Sequence, residues 1–234
     1  MSLKSNSAAL ALAAAAVVSA AAHEIAAPPN QAAPAAFDIV GARVRRDGPD
    51  VVFRMQVRGG AGSVLPASVG AMAGSRAHAY VWPTTLDTSA VGFEPAQGLL
   101  ALAVTFHPDF DDAAAGARNR DVWHPHWVVL VPEPRCGAST LAVRDIPPGE
   151  RPRLPQTWPG APLLIDSPHL PTWLEGDAVS VRVPAARIGA EATFGFDGVT
   201  AALSIGANLH APLFCVTGVF DVASGNLSLP GRAE

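Results

Sequence analysis

Twenty-two prolines and 21 glycines are spread along the 234 residues, and they leave little room for a long helix. Between them run short apolar segments with a period of two. Val51, Phe53, Met55 and Val57 share one face, while Arg54, Gln56 and Arg58 fall on the other. That alternation is the signature of a half-buried strand. The turn residues Asp47, Gly48 and Pro49 lie just before it, so Phe37–Val44 and Val51–Arg58 are expected to pair as a hairpin. Further strands are expected at 77–82, 99–106, 122–131, 141–145, 178–183, 199–208 and 213–222. Helical signals are confined to single turns near 111–118 and 184–188. The pattern predicts an all-β protein, an antiparallel β-sandwich with little helix.

The first 22 residues have the build of a signal peptide. Lys4 supplies the positive start, Ala8 to Val18 the apolar stretch, and small residues before position 22 or 23 suit cleavage. The stretch is too short and too alanine-rich for a membrane span, and no later segment is long and apolar enough for one. Residues 23–36, rich in Ala and Pro, read as a linker. Residues 37–234 then form one domain, working in the periplasm or outside the cell. A formal charge of −4 with no basic run argues against nucleic acid as a partner. Two cysteines in an exported chain predict one disulfide, Cys136 to Cys215. The region 147–171 holds eight prolines and is expected to cross the sandwich face as an ordered loop, pinned by Trp158 and Trp173.

The sharpest chemical feature is Trp123-His124-Pro125-His126-Trp127. Residues i and i+2 of a strand point the same way, so His124 and His126 can offer a nitrogen each to one ion. Imidazole suits transition metals such as Cu or Zn. Pro125 cannot donate to a ladder, which places the pair at a sheet edge or strand entrance. Trp123 and Trp127 then face the opposite side. Further metal ligands are sought among His210, His107 and His78. The acidic run Asp109, Asp111, Asp112 lacks calcium-loop spacing and reads as solvated charge. Cleavage after Ala22 would leave His23 at a free amine, a second arrangement able to chelate copper. There is no G-x-S-x-G elbow, no dinucleotide fingerprint and no phosphate loop, so no catalytic motif is identified.

The segment Phe37-Asp38-Ile39 through Asp47-Gly48, followed by Val51–Val57, resembles the opening hairpin of DOMON-like and carbohydrate-binding-module-like secreted β-sandwiches over about 25 residues. The resemblance implies a ligand-binding module for haem or sugar. Met55 or Met72 with His210 would then be the haem ligands, and the five tryptophans would be stacking surfaces for sugar. The residues themselves point first to an exported metal-binding module whose partner is a metal ion or small ligand. Haem or carbohydrate binding and a metal-dependent enzyme are the alternatives.

Overall fold

The computed structural model describes residues 24–114, 118–189, 193–206 and 212–233. The signal peptide expected at 1–22, His23 and His210 lie outside them. Two antiparallel sheets carry the fold. The first runs β1 (Ile25–Ala26), β2 (Ile39–Asp47), β3 (Asp50–Val57), β10 (Ala178–Pro184), β9 (Thr172–Glu175) in spatial order. The expected hairpin is its centre, with Asp47 opposite Asp50 across Gly48 and Pro49.

The second sheet runs β5 (Leu99–Phe106), β4 (Arg76–Pro83), β12 (Val199–Ile205), β13 (Phe214–Val222), β7 (Leu141–Val143), β6 (His124–Pro132). Strand β6 pairs back onto β5, so these six strands close into a barrel. Closure is the main departure from a plain sandwich. It needs strong local twist, which extra residues in a ladder supply. Register shifts between Thr200 and Ala201 and between Ala202 and Leu203 provide it where β12 meets β13. Strand β8 (Ile165–Asp166) takes over the free edge of β6 at Trp127 and Val128. Two short strands, β11 (Gly195–Phe196) and β14 (Gly231–Arg232), pair with each other. Of the helical signals, 184–188 holds the single turn Ala185–Arg187, and 111–118 lies partly outside the described residues.

Side-chain alternation divides the interior into two cores. Tyr80 and Trp82 of β4, Leu100, Leu102 and Val104 of β5, and Trp127 and Val129 of β6 face the first sheet. There Phe53 meets the rings of Trp82 and Trp127 edge-on at 6.1 and 6.0 Å. Each fully buried large apolar chain of this kind stabilises the fold by about 1.5–3 kcal/mol. The intervening residues Ala79, Val81, Ala101, Ala103, Val128 and Leu130 point into the barrel. Large residues thus fill the space between the sheets and small ones fill much of the barrel.

The Ala/Pro-rich stretch is packed, unlike the linker expected there. Ile25 pairs with Ala42 and is buried in the inter-sheet core. The Asn30 amide nitrogen donates to Asp221 Oδ1 at 3.1 Å, and its backbone N–H donates to Asp38 Oδ1 at 2.8 Å. Two paired residues and a side-chain clasp need no hydrophobic period, so pattern alone does not reveal them. The disulfide joins Cys136, in the turn after β6, to Cys215 of β13, with Cα atoms 5.5 Å apart. In the proline-rich region Trp158 donates to Leu163 O at 3.1 Å and pins the loop. Trp173 instead stands exposed on β9. No helix among the described residues is long and apolar enough to cross a membrane.

Candidate metal centre

Strand parity sends His124 and His126 into the barrel, on the face of Val128 and Leu130, while Trp127 anchors the opposite face. Pro125 sits where only β5 pairs with β6, because β8 joins further along, at Trp127. A ladder donor is therefore not required of it. Trp123, before the pair, is held by Gly62, whose carbonyl accepts the indole N–H at 3.2 Å. A Cβ at Gly62 would lie 2.5 Å from Leu174 and 2.8 Å from the Trp123 ring, so this close approach needs glycine.

His107 follows β5 directly and keeps the inward parity of Ala103 and Thr105. Its Nε2 lies 3.0 Å from His124 Nε2. The fourth member is Asp112. Its Oδ2 is 3.2 Å from His107 Nε2 and 3.3 Å from His126 Nε2, and its Oδ1 is 3.1 Å from His124 Nε2. Four candidate ligand atoms, one per residue, all lie within 4.8 Å of one another. A tetrahedral ion with bonds of about 2.0–2.1 Å spaces its ligand atoms about 3.3–3.4 Å apart, close to most of these separations.

Each ring is turned by a partner on its other nitrogen. His107 Nδ1 is 2.9 Å from Phe110 O, and His124 Nδ1 is 2.8 Å from Val122 O. A carbonyl only accepts, so both Nδ1 atoms carry the proton. His126 Nδ1 is 3.1 Å from Ser167 Oγ, and that hydroxyl spends its own proton on Asp112 O at 2.6 Å. His126 Nδ1 is therefore also the donor. In the neutral rings all three Nε2 atoms are bare lone pairs aimed at one another and at a carboxylate. His107 also stacks flat on Phe110 at 4.0 Å. Asn119 Nδ2 donates to Asp112 Oδ1 at 2.7 Å and fixes the carboxylate.

Such a set of acceptors repels itself unless a shared proton or a metal cation lies among them. His126 Nε2 makes the need plain: it is fully buried and has no hydrogen-bond partner. Its pKa is pushed down to about 3, by burial first, with the Asp112 charge opposing and the His124 and His107 rings assisting. Asp112 is held well below the usual carboxylate range. Burial acts to raise it and is outweighed by the imidazoles around it. A neutral imidazole and an ionised carboxylate are the forms that bind metal. A single proton bridges one edge of this cluster, whereas a central ion serves all four atoms. Side-chain exposure is 11% at His124 and Asp112 but 1–2% at His126 and His107, so the route from solvent passes His124. A groove of about 530 Å³ lined by Asn119, Trp123, His124 and Ser167 opens there.

The other sequence candidates lie elsewhere. His78 shares the face of Tyr80 and Trp82, where its ring meets Phe37 edge-on at 5.0 Å and its Nδ1 pairs with Val64 O at 3.1 Å. It is on the wrong side of β4 for the cluster. Asp112, absent from the metal-ligand set drawn from sequence, completes it. Its neighbours are engaged otherwise. Asp109 accepts from the Val69 and Gly70 backbone, and Asp111 from Asn119 N and Arg120 N. Met55 is enclosed between the sheets. Trp82 and Trp127 are core residues, Trp123 and Trp158 are half-buried, and Trp173 is exposed. No protein-family model, curated protein or solved structure matches this chain.

Proposed function

We propose that this chain is an exported module that binds one transition-metal ion, zinc ahead of copper, through His107 Nε2, His124 Nε2, His126 Nε2 and an Asp112 oxygen. The observation that carries the reading is the tautomer lock. Three buried rings have Nδ1 committed to acceptors, and their bare Nε2 atoms converge with a carboxylate. Three imidazoles and one carboxylate in a compact, non-planar cluster suit tetrahedral Zn²⁺ better than Cu²⁺, which favours a square-planar shell. Four protein ligands fill a tetrahedral shell, as in sites that hold an ion for structure or storage; catalytic zinc keeps a position open. The ion would tie the segment after β5 to β6 and, through Ser167, to the chain beyond β8. Export is supported by the leader-like first 22 residues and by the Cys136–Cys215 disulfide, which persists in oxidising compartments.

The test is zinc uptake by untagged protein and by the double variant His124→Ala, His126→Ala. The wild type should take up one equivalent and the variant none. Equal uptake by both would place the ion elsewhere.

A further inference from the structure

The barrel interior holds an apolar cavity of about 110 Å³ that no polar atom faces. Its origin is visible in the strands. Strands β4, β5 and β12 each place an alanine on the barrel face, at Ala79, Ala103 and Ala201, while the alternate residues Tyr80, Trp82 and Leu102 go to the inter-sheet core. Close-packed interiors hold few voids larger than a water molecule. A void with no polar wall does not bind water, and one of about 150 Å³ lined by aliphatic and aromatic chains takes up benzene or xenon.

The cavity also has a way in. Among the described residues β13 meets β7 at the single pair Cys215–Ala142, so beyond it the β7-facing edge of β13 is unpaired, and Val216, Val219 and Val222, which pair with β12 along the other edge, line a slot there. Val219 is 54% exposed at its rim. At the inner end, Thr105, Val128, Val143 and Leu203 are shared with a smaller space of about 30 Å³ that touches His107, Asp112 and His126.

From this geometry we infer that the barrel is a second binding site, for a compact uncharged hydrophobic molecule about the size of one aromatic ring. The ligand enters along β13 and lies against Ala79, Ala103 and Ala201. The uncharged wall excludes ions and strongly hydrated molecules, which would lose their water without compensation. The volume excludes anything much larger than a ring, apart from a tail left in the slot. This site does not depend on the metal reading, since its walls are strands apart from Leu227 and none of the four ligand residues lines the larger cavity.

The experiment is thermal melting of the full protein with increasing toluene, repeated on Ala201→Leu, whose added carbons fill the cavity away from the histidines. The inference expects a dose-dependent rise in Tm for the wild type that the variant loses. No rise in the wild type, or an equal rise in both, overturns it. If Ala201→Leu does not fold, wild-type crystals under xenon pressure decide: a xenon peak between Ala79, Ala103 and Ala201 supports the site, and its absence there overturns it.

Discussion

Ser167→Ala tests the tautomer lock without touching a ligand. In the wild type Ser167 Oγ accepts from His126 Nδ1 at 3.1 Å and donates to Asp112 O at 2.6 Å. Its removal leaves His126 free to move its proton to Nε2, where Asp112 Oδ2 waits 3.3 Å away. Binding then leaves a buried N–H at Nδ1 without a partner, a cost of about 1–3 kcal/mol. At 1.4 kcal/mol per factor of ten, zinc affinity should fall about 5- to 150-fold, in line with the roughly 10–100-fold losses seen when such supporting partners are removed. Competition against a chromophoric chelator measures it, with circular dichroism confirming the unchanged fold. A variant that binds zinc within about twofold of the wild type would refute the lock.

Chelation should lower stability, because an ion held only by the folded state at about 100 times its Kd contributes about 2.7 kcal/mol. For a chain of this size that is a Tm drop of roughly 5–11 °C, readable by calorimetry and restored by zinc. Reducing Cys136–Cys215, which lie 79 residues apart, should cost about 4–5 kcal/mol in the chain-entropy model, and a Tm unchanged by reductant would contradict it. The metal-free protein should weaken in acid. His126 has a folded pKa of about 3 against 6.5 in the unfolded chain, so the unfolded state takes up the extra proton first. The stability it contributes is complete above about 6.5 and falls by up to about 1.4 kcal/mol per pH unit as pH drops towards 3. Urea titrations of chelated protein across that window would show the slope, and a flat profile would count against a buried neutral ring.

The strands were legible because alternation and turn chemistry are local. The run 99–106 matches β5 residue for residue, and the hairpin around Gly48 forms as its turn residues indicate. Parity also placed Trp127 opposite the two histidines. It held the reason for excluding His78 as well, since that residue lies two and four positions before Tyr80 and Trp82 and shares their face, which turns to the inter-sheet core. Barrel closure was not legible. The pairing of β5 with β6, with Thr105 opposite His124 and Ala103 opposite His126, brings His107 to the pair and is a long-range register. Asp112 was hidden for a related reason. By type and spacing it is indistinguishable from Asp109 and Asp111. What separates them is distant partners: the 68–70 loop claims Asp109, the backbone at 119–120 claims Asp111, and Asp112 is left to the rings. Ser167 is one serine among many until Asp112 O and His126 Nδ1 converge on it.

The most direct test of the central claim is X-ray absorption spectroscopy of the zinc-loaded, untagged protein. The account predicts one zinc per chain with three imidazole nitrogens and one carboxylate oxygen at about 2.0–2.1 Å. Failure to retain zinc, or a shell of oxygen atoms without imidazole scattering, would contradict it.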